Sequence, residues 1–303
     1  MEIDISERSL PVFEALASKV RLDVIHLLAR RPMNVKELAQ TLGLSSAIMT
    51  MHIRKLEGAN IIRTELRPGK GGRQKMCFLN AHKIEILFPD LTRDTRKYHQ
   101  TDVPVGHYSD FDVKPTCGLA TTDKVIGTFD DPRCFMLPER VDAKILWLGQ
   151  GYLEYKVPNY LLRSEIPEEL EISMELSSEA PFSNSNWPSD ISFFFNGVYL
   201  GKWTSPGDFG GYRGRYTPDW WDININQYGL MKILRVKKDG CFLDGEKISD
   251  VTLDQVDVEK QQWTFRIAVL EDAEHIGGLT LFGSNFGNYD QDLRFRLYYT
   301  KRH

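Results

Sequence analysis

Residues 34–80 read NVKELAQTLGLSSAIMTMHIRKLEGANIIRTELRPGKGGRQKMCFLN, and this run decides the fold of the first part of the chain. Asn34 is a strong N-cap residue and Glu37 follows three positions later, the spacing of a capping box. Val35, Leu38, Ala39 and Leu42 then form one apolar face of a short helix. Gly43 can close that helix in the left-handed conformation. Ser45 opens a second helix, whose inner face reads Ile48, Met51 or His52, Leu56 and Ala59. Asn60 ends it, since Asn tolerates the left-handed region. The β-rich run 61–66 and the strand 74–79 flank Arg67-Pro68-Gly69-Lys70-Gly71-Gly72-Arg73, which is turn material.

Helix, tight turn, helix and a β-hairpin with a basic tip form a winged helix-turn-helix. Such a second helix enters the major groove with its N-terminal part toward the bases. Ser45, Ser46, Met49, Thr50 and His52 are the candidates for that contact, with His52 alternatively a half-buried structural residue. Arg54 and Lys55 lie later on the helix and suit phosphates. Arg67, Lys70 and Arg73 suit the phosphates or a narrow minor groove from the hairpin.

Upstream, residues 8–31 carry two helical patterns that break near Ser18-Lys19. Pro11 fits a first helical turn, and Arg30-Arg31-Pro32 ends the second helix. Residues 1–80 hold thirteen basic and eight acidic side chains, so this segment is +5. The whole chain of 303 residues is −4, which leaves −9 on the remainder. A basic head on an acidic body fits DNA binding at one end.

The run from Phe13 to Asn80 resembles an ArsR-type winged helix. The matching features are Leu16-Ala17 before Val20-Arg21-Leu22, the Val35–Ala39 stretch, Thr50 and His52-Ile53, and Ala59-Asn60-Ile61-Ile62. The family usually has Gly where Asn60 stands. The resemblance implies a homodimeric repressor on a near-palindromic operator of double-stranded DNA. The thiolate pair of the family's metal sensors would fall on Asn34 and Lys36, neither a soft ligand, so metal sensing there is not expected.

Beyond residue 110 helical periodicity fades. Short β-rich runs alternate with turn signals such as Asn196-Gly197, Asp239-Gly240 and Asp244-Gly245. The expected architecture is a two-domain α+β chain. A winged helix-turn-helix occupies 1–88, a polar connector 89–110, and a mainly antiparallel, jelly-roll-like β-sandwich 111–303. Residues 80–87 read as a short helix.

The unusual stretch of the second domain runs from Trp203 to Trp221. It sets Trp203, Tyr212, Tyr216, Trp220 and Trp221 among Asp208, Arg213, Arg215 and Asp219. Flat aromatic faces stack on sugar C–H surfaces while Asp and Arg bind hydroxyls or a carboxylate, so a carbohydrate or sugar-acid effector is expected. A packing or dimerisation role is the alternative. Glu165, Glu168, Glu169 and Glu171 raise glycoside hydrolysis as a rival, but they crowd one segment and read as a solvated edge. GxSxG, HExxH and the phosphate loop are all missing from the sequence, so no enzyme and no cofactor are expected. His107, Asp110, Asp112 and Cys117 match no closed zinc spacing, and no metal site is assigned.

The four cysteines, Cys77, Cys117, Cys134 and Cys241, are scattered and read as free thiols. The polar N-terminus lacks the features of a secretory signal, and no apolar run is long enough to span a membrane. A cytoplasmic protein with no membrane partner is the expectation.

Overall fold

The computed structural model describes residues 1–69, 72–81, 84–87 and 96–302. The chain divides into two units, Met1–Asp94 and Thr95–His303. None of the described helices is long and apolar enough to cross a membrane.

Among its described residues the first unit holds four α-helices: α1 (Leu10–Leu16), α2 (Lys19–Arg30), α3 (Val35–Thr41) and α4 (Ser46–Gly58). Strand β1 (Glu2–Asp4) precedes them and β2 (Met33–Asn34) lies between α2 and α3. Strands β3 (Ile62–Gly69) and β4 (Gly72–Leu79) form the hairpin, and β2 pairs with β4. The capping box at α3 is complete: the Glu37 amide donates to Asn34 Oδ1 at 2.9 Å and the Asn34 amide to Glu37 Oε2 at 2.8 Å. Two backbone donors that a helix start leaves unpaired are thereby satisfied. Gly43 at φ 66° and Asn60 at φ 61° make the two left-handed turns that bracket α4.

The buried stripe of α4 is Met49, Ile53 and Leu56, at positions i, i+4 and i+7. They join Val12, Ala15, Val24, Leu28, Leu38 and Cys77 in one apolar core. Of the expected inner face, Leu56 and Ala59 are buried, whereas Ile48 and Met51 face outward and Met49 and Ile53 take their place in the core. The expected helix over 80–87 is also corrected. Within its described part, β5 (Glu85–Leu87) pairs in parallel with β1, because an extended return brings this segment beside the N-terminal strand.

The second unit begins earlier than expected. Residues 97–103, assigned to a connector from composition, form β6 (Lys97–Val103), which hydrogen-bonds along β18 (Leu293–Lys301). Its polar residues sit on an edge strand with an exposed face, so polarity hid its pairing. One face of the sandwich contains β7 (Asp110–Ala120), β8 (Val125–Ile126), β9 (Ile145–Pro158), β11 (Ser189–Phe195), β12 (Val198–Ser205) and β16 (Gln262–Val269). Their order is β12-β11-β16-β9-β7-β8. The other face contains β6, β18, β10 (Glu165–Ser177), β13 (Leu230–Lys237), β14 (Gly240–Leu243) and β15 (Glu246–Ser249), in the order β6-β18-β10-β13-β14-β15. Strand β17 (Leu279–Phe282) pairs with one end of β9 and one end of β10 and joins the faces.

Inward residues alternate along each strand, as a half-buried sheet requires. Leu153, Tyr155 and Val157 of β9 share a core with Phe193, Phe265 and Ile267, and with Ile172, Leu234 and Phe295 from the opposite face. Phe193 and Phe265 stack at 6.4 Å, and Phe265 meets Phe295 edge-on at 5.5 Å across the sandwich. Asn196 and Gly197 at φ 49° and 82°, and Asp244 and Gly245 at 51° and 93°, turn two hairpins as the dipeptides predict.

The four cysteines are free and buried. Burial pushes the Cys77 thiol up to about 11 and the Cys117 thiol up to about 12, which makes both poor nucleophiles.

Phe265 joins the two faces, so Phe265→Ala should destabilise the second unit by about 3–5 kcal/mol. Urea unfolding followed by near-UV circular dichroism reads this as a lowered midpoint.

Candidate nucleic-acid interface and effector surfaces

Helix α4 presents Ser46, Ala47, Ile48, Met51, Arg54 and Lys55 outward. Ala47, Thr50, Met51, Arg54 and Lys55 line one shallow groove. Ser45 Oγ accepts the Ile48 amide at 3.3 Å and so caps the helix. Thr50 Oγ1 donates to the Ser46 carbonyl at 2.7 Å, which uses its proton and leaves the oxygen able to accept.

Met49 is fully buried and is a core residue, contrary to the expectation that it faces outward. The helical phase set by Ile53 and Leu56 puts it there. His52 is half-buried, with Nδ1 3.4 Å from the Arg21 guanidinium. Desolvation first, and that guanidinium second, hold the imidazole below its ordinary pKa. Arg21 also donates to the Ala15 and Glu14 carbonyls at 2.7 and 2.6 Å. This buried arginine thus ties the end of α1 to α2 and α4, and His52 belongs to that joint.

Two outward residues escaped the sequence reading, Met51 at 55% exposure and Ile48 at 45%. The signal that finds them is the strict i, i+4, i+7 stripe of Met49, Ile53 and Leu56, which forces the intervening apolar residues out.

On the hairpin, Arg63 and Arg67 lie over the Phe78 ring at 4.5 and 4.8 Å. Glu65 pairs with both, at 2.7 Å to Arg67. Their hydrogen bonds hold the Glu65 carboxyl below its usual range. Arg73 is exposed. Lys70 lies outside the described residues. Lys75, by contrast, is held by Glu57 at 2.8 Å.

In the second unit the aromatic stretch does not form one open site. Trp221 is buried against Trp147 and Phe286, and its indole N–H donates to the Asn226 carbonyl at 2.9 Å. Asp208 is buried, with Oδ2 accepting the Ala180 amide at 3.3 Å. Arg213 is spent on the Pro218, Trp221 and Asp219 carbonyls and stitches the loop to itself. Trp203 is half-buried with the Lys232 ammonium 4.3 Å from its ring centre. These four residues shape the loop. Tyr212 at 61% exposure, Trp220 at 43%, Arg215 and Asp219 remain outward, with Tyr216 half-exposed beside Arg215. Trp220 is oriented by its N–H bond to the Thr122 carbonyl.

The acidic segment of β10 is not a solvated edge. Glu165, Glu169 and Glu171 are buried and paired. His99 meets Glu165 at 2.8 Å, Arg96 meets Glu169 at 2.7 Å and Arg235 meets Glu171 at 2.9 Å. Strands β6 and β13 and the residue just before β6 supply these partners, which the sequence of β10 alone does not reveal.

A cleft of about 160 Å³ opens on the outer surface of the β7-β9-β16-β11 sheet, with Asp112, Lys114, Tyr152, Phe194, Arg266 and Glu271 around it. Gly151 and Ala268, small residues in neighbouring strands, make room for it. The Arg266 guanidinium lies 3.9 Å from the Tyr152 ring centre and bonds Glu154 at 2.9 Å. The sequence reading missed this surface, because its residues are distant in the chain and converge only through strand register.

The model of a helix-turn-helix domain matches residues 16–65. An uncharacterized HTH-type transcriptional regulator of Methanocaldococcus jannaschii is 38% identical over 53 residues, 18% of this chain and 56% of that protein. The chain thus spans about half the length of the curated relative it matches. Among solved structures, an ArsR family transcriptional regulator is similar over 25% of this chain and 78% of that one, at 32% identity and a TM-score of 0.23. A CBM36 domain of a xylanase from the hindgut metagenome of Trinervitermes trinervoides is similar over 65% of this chain and 96% of that one, at 8% identity and a TM-score of 0.29. The N-terminal unit thus carries a helix-turn-helix domain over residues 16–65, and the β3–β4 hairpin follows it in the position of a wing.

Burial pushes the Asp208 carboxyl up to about 7, and burial together with the Asp208 charge raises Glu179 well above its ordinary value. A carboxyl whose folded pKa is raised binds its proton more tightly in the native state, so stability falls as pH rises from about 4 through about 7. Asp208→Asn should flatten that slope, as read from thermal midpoints across this window. An unchanged slope would remove Asp208 as its source.

Proposed function

We propose that this protein is a transcriptional regulator, most simply a repressor, that binds operator DNA through its winged helix and responds to a small polar effector held by its β-sandwich. The observation that carries the reading is the surface of α4 and the hairpin. Thr50, Met51, Arg54 and Lys55 share one groove, and Arg67 and Arg73 stand on the wing.

Each residue type suits that partner. The Met51 and Ala47 side chains can contact a thymine methyl in the major groove, and Thr50 can meet a base edge. Arg54 and Lys55 sit where phosphates flank the groove. The family resemblance favours a homodimer, whose two heads would read half-sites about 34 Å apart. The effector is a carbohydrate or sugar acid. Tyr212 and Trp220 supply stacking faces, while Arg215 and Asp219 supply charge and hydrogen bonds. The sandwich binds rather than turns over this ligand, and the protein works in the cytoplasm. Binding would change DNA affinity only through unequal affinity for the two states of the dimer.

Glu65 competes with phosphate for Arg67. Glu65→Gln should therefore strengthen binding to any DNA, whereas Arg73→Ala should reduce the salt slope by about one unit. Fluorescence anisotropy at several salt concentrations measures both. An Arg73→Ala slope equal to wild type would place the wing off the DNA.

Gel-shift titration on the chain's own upstream DNA, with and without a panel of sugars and sugar acids, tests the sensor. Release by one compound, lost in Trp220→Ala with DNA binding intact, is the expected result. DNA binding indifferent to every ligand that the sandwich retains would make the second unit a dimerisation or partner-binding module.

A further inference from the structure

Asp190 opens a cluster apart from the surfaces above. It sits in β11, and its side chain is buried. His275 and Glu274 come from the segment between β16 and β17. The donor atoms of Asp190, Glu274 and His275 all lie within 4.8 Å of one another.

Two of the three are pre-positioned by the backbone. The Asp190 amide donates to the His275 carbonyl at 2.9 Å, so the strand and the segment are paired where both side chains leave the chain. The Gly277 amide bonds Ser189 Oγ at 3.2 Å and the Glu179 amide bonds the Gly277 carbonyl at 2.8 Å, which fixes the segment on both sides. Little conformational entropy remains to be lost on binding.

The imidazole supplies a second, independent observation. His275 Nδ1 is shielded from solvent, although its side chain as a whole is 39% exposed, and among the described residues it has no hydrogen-bond partner, with Asp190 Oδ1 3.5 Å away. A buried ring nitrogen left unpaired is costly. The separation is too long for a hydrogen bond but matches the edge of a tetrahedron around a metal with bonds of about 2.0–2.1 Å, about 3.3–3.4 Å.

We propose that Asp190 Oδ1, His275 Nδ1 and a Glu274 carboxylate oxygen bind a divalent first-row transition ion, with zinc the best match. One imidazole and two carboxylates suit such an ion, and water completes the shell. Thr204 Oγ1 bonds Asp190 Oδ1 at 2.6 Å and Lys202 Nζ bonds Oδ2 at 2.6 Å. They orient the carboxylate from behind, as outer-shell partners do. Oδ1 keeps a lone pair for the metal. Lys202 also opposes the ion by its charge, so it weakens the site while shaping it. The ion would staple the 270–278 segment to β11.

The test uses the full-length, tag-free protein stripped with a chelator and titrated with Co²⁺ or Zn²⁺ alone. One equivalent of Co²⁺ should produce the visible absorption of a four-coordinate ion, and Zn²⁺ should displace it. His275→Ala should weaken binding at least tenfold. Glu274→Gln, at an exposed position that cannot disturb the core, should weaken it in the same direction. Lys202→Met should tighten it. The proposal is overturned by failure to saturate at one equivalent, by affinity unchanged in both His275→Ala and Glu274→Gln, or by preference for Ca²⁺ over Zn²⁺. DNA binding is not read, so the outcome is independent of the regulatory role.

Discussion

Strand β9 carries the sandwich. Its fourteen residues pair with β7 along one edge and with β16 and β17 along the other. Alternation along β9 sends Leu153, Tyr155 and Val157 into the core, which forces Tyr152 and Glu154 to the outer surface. Pairing then aligns Asp112 and Ala268 with Tyr152, and Arg266 with Glu154. The outer cleft is thus a consequence of burying the opposite face, and a one-residue slip in register would dissolve both.

The same logic governs the first unit through a helix. Burying Met49, Ile53 and Leu56 of α4 in one core leaves Met51, Arg54 and Lys55 facing out. Arg21 reinforces this placement by bonding the end of α1 while lying against His52 of α4. A buried guanidinium satisfied by carbonyls is stable where an unpaired one would be expelled. The arginine that the family resemblance marks is a structural joint rather than a phosphate contact.

Buried charge recurs in the second unit with the same resolution. The carboxylates of Glu165, Glu169 and Glu171 on β10 are each met by a cation or imidazole from β6, β13 or the chain just before β6. Glu175 accepts the Gly229, Asn288 and Tyr289 amides, fixing the loops at that end. Asp208 and Glu179 are the exception: among the described residues no cation pairs with either, and burial raises both carboxyls.

The sequence by itself determined the elements whose causes are local. The capping box of Asn34 and Glu37, the left-handed turns at Gly43 and Asn60, the hairpin with its basic tip and the Asn196-Gly197 turn all follow from neighbours a few residues apart. So does the two-unit organisation, because periodicity changes along the chain. Tertiary structure decided the rest. It buried Met49, decided between the two readings of His52 by setting it half-buried against Arg21, turned Asp208, Arg213 and Trp221 into the frame of their loop, and drew residues 97–103 into the sheet. It also brought Asp190 to His275, and Tyr152 to Arg266 and Phe194. Each of these depends on which strand lies beside which, over separations where loop closure rather than local propensity sets the outcome, and no single window of sequence encodes that pairing.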